Sequence, residues 1–205
     1  MGGPRVLVVD YGMGNLRSVA KALERVGARV LVSGRPEDVT ETEKLVLPGV
    51  GAFAAAVAGL RQRGLLAPLR RYLEEDRPFL GICLGLQLLF EKSYEEGEHE
   101  GLGVLRGDVV RFVAGEGGLK VPHIGWNQLE MRSDVPLFAG VEQGAYVYFV
   151  HSYYVRPDDD VVAARTDYGG RFVSAVRRGR LSATQFHPEK SQKVGLQMLA
   201  NFVSS

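Results

Sequence analysis

Two short segments, far apart in the chain, hold the residue types that nucleophilic acyl transfer requires. Gly81-Ile82-Cys83-Leu84-Gly85 follows the apolar run Pro78-Phe79-Leu80 and contains the only cysteine. Thr184-Gln185-Phe186-His187-Pro188-Glu189 offers a histidine with a carboxylate two positions later. Such chemistry needs a nucleophile, a base, and a carboxylate that orients the base, and Cys83, His187 and Glu189 are the candidates. A lone cysteine at the end of an apolar strand is most often a small buried hydrophobe. The assignment therefore rests on its surroundings.

A strand that runs into a helix through Gly-x-Cys-x-Gly has the pattern of a nucleophile elbow. Gly81 and Gly85 leave room where a sharp turn crowds its flanks. Cys83 then stands at the amino end of a helix, where unpaired N–H groups and the helix dipole favour a thiolate. In such elbows the residue after the nucleophile supplies one oxyanion donor, here the Leu84 N–H. A second donor is required. Leu47-Pro48-Gly49-Val50-Gly51-Ala52 follows another strand, and Gly49 and Gly51 free the Val50 peptide to turn its N–H toward a reacting carbonyl. On the other segment, Pro188 holds His187 extended. Side chains at i and i+2 then share a face, so Glu189 can bond one imidazole nitrogen and leave the other for the sulfur.

The elements that must position these groups follow from periodicity. Arg5–Val9, Arg29–Ser33, Lys44–Leu47 (stopped by Pro48-Gly49) and Pro78–Ile82 read as buried strands. Leu16–Val26, closed by Gly27, together with Ala52–Arg63, Leu65–Glu75 and Leu84–Lys92, reads as helices. This alternation implies right-handed crossovers and a parallel sheet covered on both faces. From Gly101 to Arg180 the pattern changes to short alternating runs: Asp108–Val113, Tyr146–His151, Val161–Thr166 and Phe172–Arg177. Turns at Gly115-Glu116-Gly117-Gly118 and Tyr168-Gly169-Gly170 separate some of them, and antiparallel strands beside the parallel core are expected. Arg180–Phe186 forms a further strand. Ser191–Val203 closes the chain as a helix with an apolar stripe at Val194, Met198 and Phe202. No linker or repeat divides the sequence, so 1–205 reads as a single α/β domain.

The chain has 205 residues, 45% of them hydrophobic, which suits one domain with a sizeable core. Its net charge of +1 gives no argument for nucleic acid or an anionic membrane as partner. A single cysteine cannot form an intramolecular disulfide, and the apolar run before Asp10 is too short for a signal-peptide core. A soluble, cytoplasmic protein is expected. Cysteine and histidine show no metal-ligand spacing, so no metal is expected. Asp10-Tyr11-Gly12-Met13-Gly14-Asn15 looks like the start of a phosphate-cradling loop, but Arg17 stands where a third glycine belongs, which argues against a nucleotide site.

Together these motifs resemble the class I glutamine amidotransferases, whose glutaminase domain carries a Cys–His–Glu triad. Val9 to Leu16, Leu47 to Phe53, Gly81 to Gln87, Pro122 to Asn127, Tyr148 to Tyr153 and Gln185 to Ser191 are similar, in order and over nearly the whole chain, to the glutaminase subunits of imidazole glycerol phosphate synthases. The resemblance implies hydrolysis of glutamine through a thioester on Cys83, with no cofactor. It also implies that Gly49, Gly51 and Gln87 hold glutamine, while backbone groups of His151, Ser152 and Tyr153 receive its α-amino and α-carboxylate ends. The neighbours Phe149, Val150 and Tyr153 mark the His151 side chain as a structural strand histidine rather than a rival base. The implied partner is a (β/α)8-barrel cyclase subunit that takes ammonia directly. Asn15, Trp126, Tyr148 and Lys190 are the candidate contacts with it, Trp126 being either an interface anchor or part of the core. If the Val50 peptide faces away from the site at rest, the isolated subunit would be nearly inactive until its partner binds. The alternatives are a glutaminase serving another synthase, such as the pyridoxal phosphate or anthranilate enzyme, and a stand-alone cysteine hydrolase with the same elbow.

Overall fold

Strands that are apolar on both faces are stable only inside a covered sheet, and that requirement organises this chain. The computed structural model describes residues 3–113 and 119–205, so the expected turn at Gly115–Gly118 lies outside the described residues. The first part runs β1 (Arg5–Val9), α1 (Leu16–Arg25), β2 (Arg29–Ser33), α2 (Pro36–Glu41), β3 (Lys44–Gly49), α3 (Phe53–Gln62), α4 (Leu66–Glu74), β4 (Phe79–Cys83) and α5 (Leu84–Gln87). There follow β5 (Phe90–Ser93), β6 (His99–Glu100), β7 (Leu105–Arg111), β8 (His123–Gln128) and β9 (Glu130–Met131). The last part holds β10 (Tyr146–His151), β11 (Tyr153–Pro157), β12 (Val162–Asp167), β13 (Arg171–Arg178), β14 (Leu181–Thr184), a 3-10 turn at Pro188–Lys190 and α6 (Gln192–Ser204).

β2, β1, β3, β4 and β14 lie side by side in that order, all parallel. β3 and β4 are buried along their full length. From β14 the sheet continues antiparallel through β13 and β11 to β7, while β8 and β10 form a separate two-stranded ribbon. One apolar cluster joins Leu7, Leu45, Leu47 and Phe79 to α3 and α4. Another joins Val6, Val8, Val46 and Leu80 to α1 and α6. Alternate residues of the same strands feed the two clusters, as the period of two demands. The stripe on α6 buries Met198 and Phe202 and leaves Val194 half-buried.

Several expectations are corrected. The helix expected over Leu84–Lys92 ends at Gln87, and Phe90–Ser93 is a strand paired parallel to β7. Leu84 to Phe90 is buried throughout, with Gln87 its one polar side chain, so the run has no exposed polar face to set a period and reads equally as helix or strand. Pro48-Gly49 extend β3 rather than stop it, facing Ile82 and Cys83 across the ladder. The strand expected at Asp108–Val113 spans Leu105–Arg111. α2, β8 and β11 were not anticipated. β8 carries Gly125 at φ +132° and alternates around a polar face, which weakens its strand signal.

Candidate active site

The registers of three adjacent parallel strands gather the site at one sheet edge. Gly49 of β3 pairs with Cys83 of β4, and Thr184 of β14 pairs with Ile82, so Val50, Cys83 and Gln185 all leave the carboxyl ends of neighbouring strands. Open α/β sheets place ligands at such an edge.

Cys83 sits at φ +54° and ψ −107°, a region that side chains with a Cβ rarely occupy. The elbow is held by close packing on both sides. A Cβ on Gly85 would lie 1.9 Å from the Leu47 carbonyl oxygen, and one on Gly81 would lie 2.8 Å from that of Gly85. The helix that follows is only four residues long, so the dipole expected to favour a thiolate is short. Side chains supply more of the local electrostatics. Gln185 Nε2 lies 3.6 Å from Cys83 Sγ, and the Val150 carbonyl lies 3.9 Å from it.

His187 is buried, and its Nδ1 meets Glu189 Oε1 at 2.8 Å, both side chains being almost wholly excluded from solvent. Two anchors hold this turn against β10. The His187 N–H donates to the Tyr148 carbonyl at 3.0 Å, and Ser191 Oγ donates to the His187 carbonyl at 2.7 Å while accepting the Tyr148 N–H. Burial alone would drive the His187 imidazole toward neutrality. Attraction to Cys83 and the hydrogen bond to Glu189 outweigh it and raise the pKa from 6.5 to about 10. His187 Nε2 is buried and closes no hydrogen bond of standard geometry, so the hydrogen-bonding pull of nearby Cys83 reaches it across a looser contact.

A cleft of about 440 Å³ opens over the sulfur, lined by Val50, Gly51, Cys83, Leu84, Gln87, Glu95, Val150, His151, Ser152 and Tyr153. The expected oxyanion residues Val50 and Leu84 and most of the expected substrate contacts therefore share one concavity with Cys83. Gly49 lies just beneath, so closely packed that a Cβ there would meet Tyr11 Oη at 2.5 Å and Leu84 Cβ at 2.8 Å. Tyr11 donates to the Pro48 carbonyl at 2.8 Å, and burial, with the charge of Cys83 adding, pushes its phenol well above its ordinary range. The Asp10–Asn15 loop, which resembles a phosphate cradle, is thus the floor under the Val50 loop.

The His151 ring is committed to structure. Its Nδ1 donates to the Tyr153 carbonyl at 2.8 Å, its Nε2 meets His123 Nδ1 at 3.0 Å, and His123 Nε2 meets Asn127 Nδ2 at 3.3 Å. Because a carbonyl can only accept, every group in the chain is satisfied with both imidazoles neutral. Burial pushes His123 down to about 4 and His151 to about 3, and the same state results.

The four residues expected at a partner surface do not form one cluster by side-chain contact. Trp126 and Tyr148 are cross-strand partners with ring centroids 6.0 Å apart, and Lys190 Nζ lies 5.6 Å from the Tyr148 ring. Asn15 caps α1, its Oδ1 accepting the Ser18 N–H. Trp126 is exposed, together with Ile124 and Tyr146, and so is not a core residue. Glu95, Gln185 and His123 were missed as site residues. Glu95 lies in a turn beyond the misread helix, where it also accepts the Phe53 N–H at 2.6 Å. For Gln185 a signal existed, since it precedes His187 by two positions on the same extended segment.

Comparison with known proteins agrees with this geometry. Residues 7–205 match the family model described as glutamine amidotransferase class-I. The imidazole glycerol phosphate synthase subunit HisH of Aquifex aeolicus (strain VF5) is 55% identical, over 97% of this chain and 95% of that protein. The HisH subunit of Syntrophotalea carbinolica is 54% identical, over 96% and 98%. Among solved structures, PurLQS from Thermotoga maritima superposes with a TM-score of 0.78 over 98% of both chains at 22% identity, a likeness of fold. By these matches the chain belongs to the class I glutamine amidotransferases and, within them, to the HisH subunits of imidazole glycerol phosphate synthase.

Proposed function

We propose that the chain hydrolyses glutamine with Cys83 as nucleophile, His187 as proton carrier and Glu189 as the group that orients it, acting as the glutaminase subunit of an imidazole glycerol phosphate synthase in histidine biosynthesis. The observation that carries this reading is the buried His187–Glu189 pair at 2.8 Å, whose free Nε2 is directed to the side of a cysteine held in a strained elbow. Cys83 reacts in its thiolate form, and His187, its pKa raised to about 10, carries a proton at neutral pH. The thiolate attacks the side-chain carboxamide, and the negative charge on its oxygen is held by the N–H groups of Val50 and Leu84. His187 gives its proton to the departing nitrogen, so ammonia leaves and a thioester remains. Water then attacks, His187 takes its proton, the sulfur leaves as thiolate, and glutamate is released.

The cleft supplies complementary ends for the rest of glutamine. Glu95 is the carboxylate in its lining and suits the α-ammonium group, while the segment His151-Ser152-Tyr153 offers backbone groups to the α-carboxylate. Both Gln87 amide hydrogens are already used, on the Tyr153 carbonyl and on Gln185, which leaves its carbonyl oxygen for the substrate. Gly49 and Gly51 give the Val50 loop its shape.

The partner we infer is a (β/α)8 cyclase barrel in the cytoplasm, because free ammonia in water is mostly protonated and needs a closed route. The ribbon of exposed Ile124, Trp126 and Tyr146 and half-buried Tyr148, with Lys190 beside it and Asn15 at the start of α1, suits such an interface. Among the described residues no helix is long and apolar enough to cross a membrane. The test is glutamate release from glutamine by the purified chain, alone and with the cyclase barrel plus its nucleotide ligand. Strong activation by the barrel is expected. Equal activity with and without it would remove the partner-gated reading, and full activity in Cys83→Ala would remove the triad.

A further inference from the structure

Gln185 is fully buried just beyond the end of β14, packed against Cys83 and Gln87. A buried amide beside a sulfur can present either an N–H or a carbonyl, and the two have opposite consequences for a thiolate. Here the choice is imposed from a distance. Tyr153 presents a backbone carbonyl, which only accepts, so the Gln87 atom 3.1 Å away must be its NH2 group. The second hydrogen of that NH2 points at Gln185, 3.2 Å away, so the Gln185 atom there must be its carbonyl oxygen. The remaining end of Gln185, 3.6 Å from Cys83 Sγ, is then its NH2. Reversing Gln185 would set NH2 against NH2 at one end and a carbonyl against the sulfur at the other.

We propose that Gln185 is a catalytic residue that donates an N–H to the Cys83 thiolate, its orientation dictated by the Tyr153 carbonyl through Gln87. The proposal rests on Cys83 being the nucleophile. The donor stabilises the attacking sulfur before the thioester forms and the departing sulfur when water cleaves it. It also offsets the Val150 carbonyl, which a thiol can use as acceptor and a thiolate cannot. The titratable groups around the sulfur are His187, Tyr11 from the loop after β1, and Glu95, His151 and Tyr153 in the cleft lining, with Glu189 acting through His187. Among the side chains contacting the sulfur, Gln185 is a donor that does not titrate.

Because the chain has one cysteine, alkylation by the neutral reagent iodoacetamide reports Cys83 alone. In Gln185→Met, of similar shape but without the donor, the pH midpoint of alkylation should rise by about one unit. Gln185→Glu should raise it further, and Gln87→Met, which frees Gln185 to turn, should raise it less. In the wild-type protein the Gln185 side-chain amide resonances should shift with the Cys83 titration, a readout that needs no substitution and is insensitive to a purely packing role. A folded Gln185→Met with the wild-type alkylation profile, or Gln185 resonances indifferent to Cys83 ionisation, overturns the proposal while leaving the triad intact. A Cys83 unreactive at every pH would overturn both.

Discussion

His187 is where opposing effects are most sharply balanced. Burial disfavours its charged form, yet the negative partners on either side hold the proton to about pH 10. A glutamine at 189 keeps the shape of the carboxylate but loses its charge, and can leave the imidazole in the wrong tautomer. We predict that Glu189→Gln lowers kcat for glutamine hydrolysis by about three orders of magnitude with a much smaller change in KM. Steady-state kinetics on the complex with the cyclase would measure this; a loss below tenfold would mean that Glu189 does not orient His187. Neighbouring residues explain why this much could be read from the chain. Pro188 sets the extended backbone locally, and a carboxylate two positions on then falls on the imidazole's own face. Gln185 uses the same spacing, but its partners, Cys83 and Gln87, lie about a hundred positions away, so nothing nearby in the sequence announced them.

At the scale of elements, the elbow depends on how closely β3, β4 and α5 approach. Gly85 is in contact with the Leu47 carbonyl, so an added methyl group must force β3 away from α5 and drag the Val50 loop with it. We predict that Gly85→Ala costs about 3 kcal/mol of stability, at the upper end for overpacking because the obstacle is backbone. Chemical denaturation would show it, and a cost under about 0.5 kcal/mol would mean that the elbow is slack. The glycines were legible as an elbow because the motif is local. The length of α5 was not: the buried run from Leu84 to Phe90 lacks any exposed polar face, and its division into a helical turn and a strand is set by the pairing of β5 with β7. β8, the partner of the strand expected and found at Tyr146–His151, escaped notice for a related reason. The two strands stand outside the main sheet, and their exposed side carries Ile124, Trp126 and Tyr146, where alternation would lead one to expect polar residues.

At the scale of the whole molecule, the buried histidines shape stability in opposite directions. His187 binds its proton more tightly folded than unfolded, so its contribution is complete below about pH 6.5 and is lost as pH rises toward about 10. His123 and His151 are held neutral, with pKa values near 4 and 3 against an unfolded value of 6.5. The unfolded chain takes up protons there that the folded chain refuses, so stability falls as pH drops from about 6.5 toward 4. We predict from these three groups a maximum of thermal stability near pH 6.5. Melting curves between pH 4 and 9 would test it: His187→Gln should flatten the alkaline limb, and His123→Gln the acid limb. Limbs unchanged by these substitutions would mean that other groups control the profile.

The sequence by itself determined what short-range physics can carry. Glycines around Cys83 permit a sharp turn, proline after His187 extends the backbone, and strand–helix alternation requires a covered parallel sheet. From these the α/β class could be read without coordinates, and the three residues proposed as the triad could be picked out. Only the tertiary structure decided which groups meet across the fold. It placed Tyr11 under the Val50 loop, Glu95 in the cleft, the His123–His151 pair behind it, and Gln185 against the sulfur. Each of these contacts joins elements remote in sequence, and its geometry follows from strand order, register and close packing, which no local pattern of residues encodes.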